Sequence, residues 1–181
     1  MTELRVNKPE AVRRQTNAGI RMLFGGEDPV AVITVASAAF RIARDLAKTS
    51  GSSDMEQRIK DMIKPGKENE FWTAANRPAN FLKHADNDSR GILTGAEEVT
   101  ESILLMCSLY YRELGYSLTE EMRVLILWCG ILNPKLMTSD DPLQQYYQLP
   151  VAEAFRNLPR SEQLKYGQMM LNDRNAQALS R

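Results

Sequence analysis

Between Asp28 and Lys48 the polar residues Thr34, Ser37, Arg41, Arg44, Asp45 and Lys48 recur three or four positions apart. They leave Val32, Ile33, Ala36, Phe40, Ala43 and Leu46 on the opposite side. That spacing follows the turn of an α-helix and predicts an amphipathic helix with one apolar stripe. Asp28 is placed to cap it, Pro29 takes the first helical position, where no N–H is needed, and Gly51 ends it. The preceding segment, Pro9 to Phe24, stops at Gly25-Gly26. Two antiparallel helices joined by a short glycine-containing turn are therefore expected.

Downstream, Asp54 to Ile63 predicts a short helix ended by Pro65-Gly66. Glu68 to Asp86 predicts a longer one carrying Phe71, Ala75, Ala79 and Leu82. Pro78 falls inside it, and must either kink the helix or start a new one, because it lacks a donor and disfavours the helical region for Arg77. Thr94-Gly95-Ala96-Glu97 reads as a capping box opening a helix to Leu114, closed by Gly115. Ser117-Leu118-Thr119-Glu120 repeats the device before a helix from Met122 to Leu132. Beyond Pro134, prolines at 142, 150 and 159 separate short helical pieces, the last running from about Glu162 to Leu171. No segment alternates with period two, so the expected fold is all-α, a helical bundle of about seven or eight helices. It forms a single domain over residues 1–175, followed by a polar C-terminal tail at 176–181.

Composition narrows the function more than the fold. A chain of 181 residues can bury roughly 70% of its unfolded surface around one core. With 23 basic and 23 acidic residues no global field drives it onto nucleic acid or an anionic membrane, so such binding would have to be local. The N-terminus has no apolar stretch behind a basic start, and the longest apolar run, Leu125 to Leu132, is less than half of the ~20 residues a membrane span needs. A soluble, unexported, cytoplasmic protein is expected. Cys107 and Cys129 each sit in an apolar helical pattern and read as reduced core thiols, not as a disulfide framework or a thiolate site. There is no phosphate-binding Gly-rich loop, no G-x-S-x-G elbow and no H-E-x-x-H. Trp128 and the pair Tyr146-Tyr147 read as core or interface groups.

Candidate chemistry gathers around the only histidine, His84, in the block Asn80-Phe81-Leu82-Lys83-His84-Ala85-Asp86-Asn87-Asp88. A lone His excludes chemistry that needs two imidazoles from one chain. If the helix continues through Pro78, then Arg77, Asn80 and His84 share one face, with Asp88 a turn further on. A cation, an amide and a titratable base in one stripe suit metal-independent cleavage of a phosphodiester. His84 would transfer protons, Arg77 would stabilise charge on the phosphate and Asn80 would orient a hydroxyl. Lys83, Asp86 and Asp88 are the candidate binding residues beside them. The structural alternative is equally concrete: a His near a helix C-terminus is favoured by the macrodipole and can pair with Asp86 or Asp88.

Asp86, Asp88, Gly91, Leu93, Thr94 and Glu97 also fall at positions 1, 3, 6, 8, 9 and 12 of a calcium-loop pattern. Arg90, however, puts a cation where an oxygen ligand is required, and Glu97 is equally the third residue of the capping box. No metal and no other cofactor is expected. Arg13, Asn17 and Arg21 form one helical stripe, and Arg41, Arg44 and Lys48 another. Together they could offer a cationic surface to a phosphate backbone, or simply be solvated faces.

The block from Asn80 to Asp88, preceded by Asp28-Pro29-Val30 and the Ala-rich helix after it, resembles a group of uncharacterised bacterial all-helical proteins over roughly Val12 to Trp128. More distantly, Arg77-x6-His84 resembles the R-x4-6-H motif of the HEPN superfamily, helical bundles of which many are metal-independent ribonucleases. That resemblance implies a composite cleft built by two protomers, with Arg77 on phosphate, Asn80 as an accessory group and His84 in proton transfer. Two functions follow from the sequence. One is a non-catalytic interaction module in which the block caps a helix and pins a loop. The other is a HEPN-like RNA-binding protein or endoribonuclease. The partners they imply are a second copy of the chain, RNA or another protein.

Overall fold

The computed structural model describes residues 3–52, 54–62, 66–83, 89–94, 98–136 and 145–179. Within them the chain forms eight α-helices packed as one bundle, with no strand. They are α1 Lys8–Gly25, α2 Pro29–Thr49, α3 Asp54–Met62, α4 Glu68–Phe81, α5 Glu98–Glu113, α6 Glu120–Leu132, α7 Pro150–Arg156 and α8 Arg160–Leu179. Short 3-10 turns occupy Pro134–Leu136 and Tyr146–Gln148.

The first two helices form the expected hairpin. Asn7, a cap the hydrophobic pattern did not reveal, accepts the Glu10 amide at 2.9 Å. At the other end of α1, Gly26 adopts φ 71°, and the amides of Gly26 and Glu27 return to the carbonyls of Leu23 and Met22. A left-handed residue there closes the helix at no steric cost only as glycine. Asp28 then caps α2, its Oδ1 accepting the Val30 and Ala31 amides at 2.8 and 3.2 Å.

The core is centred where α1, α2 and α5 meet. Ala36 and Ala43 of the apolar stripe read from the sequence are buried on α2, as are Ala39 and Ala47, and these small side chains let neighbouring helices approach closely. On α1, Gly19 does the same against α5: a Cβ there would lie 2.8 Å from Leu104 Cδ2. Helices α6 and α8 close the other side of α1. There fully buried Trp128 meets Phe24 edge-on at 5.3 Å and donates its indole N–H to the Gln163 carbonyl at 2.9 Å. Helix α4 packs on α2, and α3 on α5.

Several boundaries differ from expectation. Helix α6 is capped by Thr119, whose Oγ1 accepts the Met122 amide at 3.3 Å, and not by Ser117. Helix α8 runs on to Leu179, past both the expected stop at Leu171 and the start of the expected tail. The apolar stripe ends at 171, but beyond the weak formers Asn172, Asp173 and Asn175 the run Ala176-Gln177-Ala178-Leu179 favours the helix, and no Gly or Pro stops it. The capping box at Thr94 is only partly visible: Gly95, Ala96 and Glu97 lie outside the described residues, and α5 is described from Glu98. Glu113 has an unexpected role, accepting the Met55 amide at 2.9 Å and a hydrogen bond from the Ser52 hydroxyl. It thereby caps α3 from a helix remote in sequence.

Candidate functional site

Helix α4 passes through Pro78 without breaking. Its aromatic start holds it: Phe71 and Trp72 pack on the edge of the core, and the Arg44 guanidinium lies 3.7 Å from the Trp72 ring centre. Pro78 and Ala79 are buried. The proline has no N–H to offer the Ala74 carbonyl, so one backbone acceptor loses its partner within the helix.

The helix stops sooner than expected. It ends at Phe81, with Leu82 as C-cap and the Lys83 amide returning to the Asn80 carbonyl at 3.3 Å. The helical stripe Arg77, Asn80, His84 and Asp88 is therefore not continued past Asn80 in α4. Lys83 is exposed in the closing turn. His84, Asp86 and Asp88 lie outside the described residues.

Arg77 and Asn80 line different cavities. Arg77 is exposed at the wall of a half-open cavity of about 340 Å³ at the corner of α2, α4, the segment Ile92–Thr94 and the start of α5. Its lining is mostly apolar, with Val30, Ile33, Pro78, Leu93 and Val99 as the main walls and Ala74 beside them. Arg77, Thr94 and Thr100 are its polar side chains. Thr100 is 5% exposed, and its hydroxyl has no hydrogen-bond partner among the described residues. Arg77 likewise has no ion-pair partner among them.

Asn80 instead lines a polar cleft of about 260 Å³ between α2 and α4, with Asn76, Arg41, Arg44 and Asp45. Asn76 is tied to its own helix, donating to the Trp72 carbonyl at 2.7 Å, and Arg44 pairs with Glu56 at 3.0 Å.

The two cationic stripes are largely neutralised within the molecule. Arg13 pairs with Glu10 at 2.6 Å and Arg21 with Glu121 at 2.5 Å, while Lys48 shares Glu56 with Arg44 at 3.7 Å. Asn17, placed on the first stripe by its spacing, is buried and accepts the Thr119 hydroxyl at 2.8 Å. Among these residues Arg41 is exposed on the α2 stripe. Pairing of this kind reduces the charge that a phosphate backbone would meet.

Both thiols are free and buried. Burial raises the Cys107 pKa well above its ordinary value and pushes Cys129 up to about 12, so neither supplies a thiolate at neutral pH. No group of three His, Cys, Asp or Glu side chains able to hold a metal occurs among the described residues; Asp86, Asp88 and Glu97 of the calcium-loop pattern lie outside them. No described helix is long and apolar enough to cross a membrane.

Sequence reasoning singled out Arg77 as a candidate but not its surroundings. Val30, Leu93, Val99 and Thr100 come from three separate stretches, and only packing brings them to one wall. No family model, curated protein or solved structure matches the chain.

Proposed function

We propose that the chain is a non-catalytic, cytoplasmic interaction module that binds its partner through the cavity beside Arg77. The observation that carries this reading is the setting of Arg77: a cation with no ion-pair partner among the described residues, at the wall of a largely apolar cavity and separated from Asn80, which lines a different cleft. An apolar pocket with a few convergent polar groups is the usual form of a binding site. Two reduced, buried thiols fit a reducing compartment.

The HEPN-like alternative draws less support. It needs Arg77, Asn80 and His84 to converge on one phosphate, whereas α4 ends at Phe81 and its Arg77 and Asn80 serve separate spaces. It also needs a positive surface to hold RNA, and most cations of both stripes are already paired.

The test is an RNA binding and cleavage assay in chelator, with the wild-type chain, Arg77→Ala and His84→Ala, folding being checked by circular dichroism. No cleavage is expected from any of the three. Cleavage by the wild type that both folded variants lose would overturn the module in favour of the nuclease.

A further inference from the structure

We infer that the Arg77 cavity receives the carboxyl terminus of a partner polypeptide whose last residue is apolar; this rests on the interaction-module reading and names its partner class. Two features of the cavity match two parts of such a terminus. The Arg77 guanidinium, without an ion-pair partner among the described residues, matches the terminal carboxylate, which it can hold through two parallel hydrogen bonds. The walls formed by Val30, Ile33, Leu93 and Val99 match a branched or aromatic side chain.

Thr100, a 5% exposed residue in the same lining, adds a hydroxyl that can donate to a carboxylate oxygen. The electrostatics also give the ligand a direction. At the α2 end the Val30 and Ala31 amides are already taken by the Asp28 carboxylate, so that end repels an anion and the charge belongs beside Arg77. A cavity of about 340 Å³ lies at the small end of ligand sites, which start near 300 Å³. It accommodates a terminal residue and the start of its neighbour, while its open side lets the rest of the partner chain leave.

The experiment uses the full chain and calorimetric titration with N-acetyl-Ser-Gly-Gly-Leu bearing a free carboxylate. Comparison ligands are the same peptide as its C-terminal amide, N-acetyl-Ser-Gly-Gly-Gly with a free carboxylate, and isocaproate, the free acid with the leucine side chain. The leucine acid is expected to bind, and each comparison ligand to bind at least about ten-fold more weakly. Arg77→Ala should lose a similar factor and Thr100→Val a smaller one, with Arg123→Ala as the surface-charge control. Arg77 is exposed, so its removal leaves the fold in place, and Arg77→Lys should recover part of the binding.

The proposal is overturned if the amide binds as well as the acid, if Arg77→Ala binds as wild type, or if no peptide binds at millimolar concentration. Isocaproate binding as tightly as the peptide would also overturn it, making the site one for a small acid. A failed titration with no RNA cleavage removes this partner class alone, whereas Arg77-dependent cleavage removes the module reading as well.

Discussion

Replacing Gly130 by Ala tests the contact between α6 and the turn Tyr146–Gln148. An alanine Cβ there would lie 2.6, 2.7 and 2.8 Å from Cζ, Cε1 and Oη of Tyr147, a ring with no solvent exposure. Helix propensity acts in the opposite direction, favouring Ala over Gly by up to about 1 kcal/mol. The ring cannot simply step aside, because the Tyr147 carbonyl is held by the Arg156 guanidinium at 2.9 Å, which also holds the Ile131 carbonyl. Overpacking of this kind costs about 1–3 kcal/mol, and expelling the ring would forfeit a further ~2 kcal/mol of burial. The expected net effect is a loss of about 1–2 kcal/mol, or a fall in Tm of about 2–8 °C.

Gly19→Ala is the internal control. Its nearest neighbour is one leucine methyl at 2.8 Å, with the next atoms at 3.8 Å. A methyl at the end of a flexible side chain can rotate away, so this variant should stay within about 0.5 kcal/mol of wild type. Urea unfolding measures both. In a Tyr147→Ala background the Gly130→Ala change should become neutral or stabilising, because only the propensity remains. Gly130→Ala as stable as wild type in the native background, or Gly19→Ala falling as far, would refute the packing.

Three further outcomes are expected. Glu113→Ala removes the acceptor of the Met55 amide; it should cost about 1 kcal/mol and speed hydrogen exchange at Met55 by about five-fold, without affecting α6. Cys107 and Cys129 should resist a thiol reagent at neutral pH in the native chain and react once urea unfolds it, since burial raises both pKa values; rapid native labelling would contradict this. The Glu10 carboxylate, held down to about 2 by the Arg13 guanidinium and then by Arg14, should titrate there by NMR. Because its folded pKa is depressed, its contribution at the start of α1 is present above the ordinary carboxylate range and is lost as the pH falls towards about 2.

Much of the fold was legible because it depends on local rules. The hairpin of α1 and α2 follows from apolar period, the Asp28 cap and the Gly25-Gly26 stop, all of which act within a few residues. Reduced core thiols followed from their apolar neighbours in the same way. Errors arose where a local signal had a remote competitor or none. Ser117 and Thr119 are both good caps, and Thr119 is the residue that bonds Asn17 of α1. The periodicity around Asn80 continues to His84, yet the backbone closes its last helical turn before it.

Arg77 stood out in the sequence, because an arginine near an isolated histidine draws notice. Its surroundings did not, because Arg77 and Asn80 are neighbours on a helix surface but line two different spaces, one apolar and one polar. Asn17 was misplaced for a similar reason: spacing puts it among cations, and packing buries it against Thr119.

The sequence by itself determined an all-helical chain, most of its helix ends and the residue types available for chemistry. Hydrogen-bonded turns and caps are satisfied by residues close along the chain, so their instructions are written locally. Only the tertiary structure decided which cations are cancelled by which carboxylates, such as Arg21 by Glu121, and which apolar side chains wall the cavity beside Arg77. Those relations join segments far apart in sequence, and their energies come from burial and charge pairing that exist only once the helices have packed.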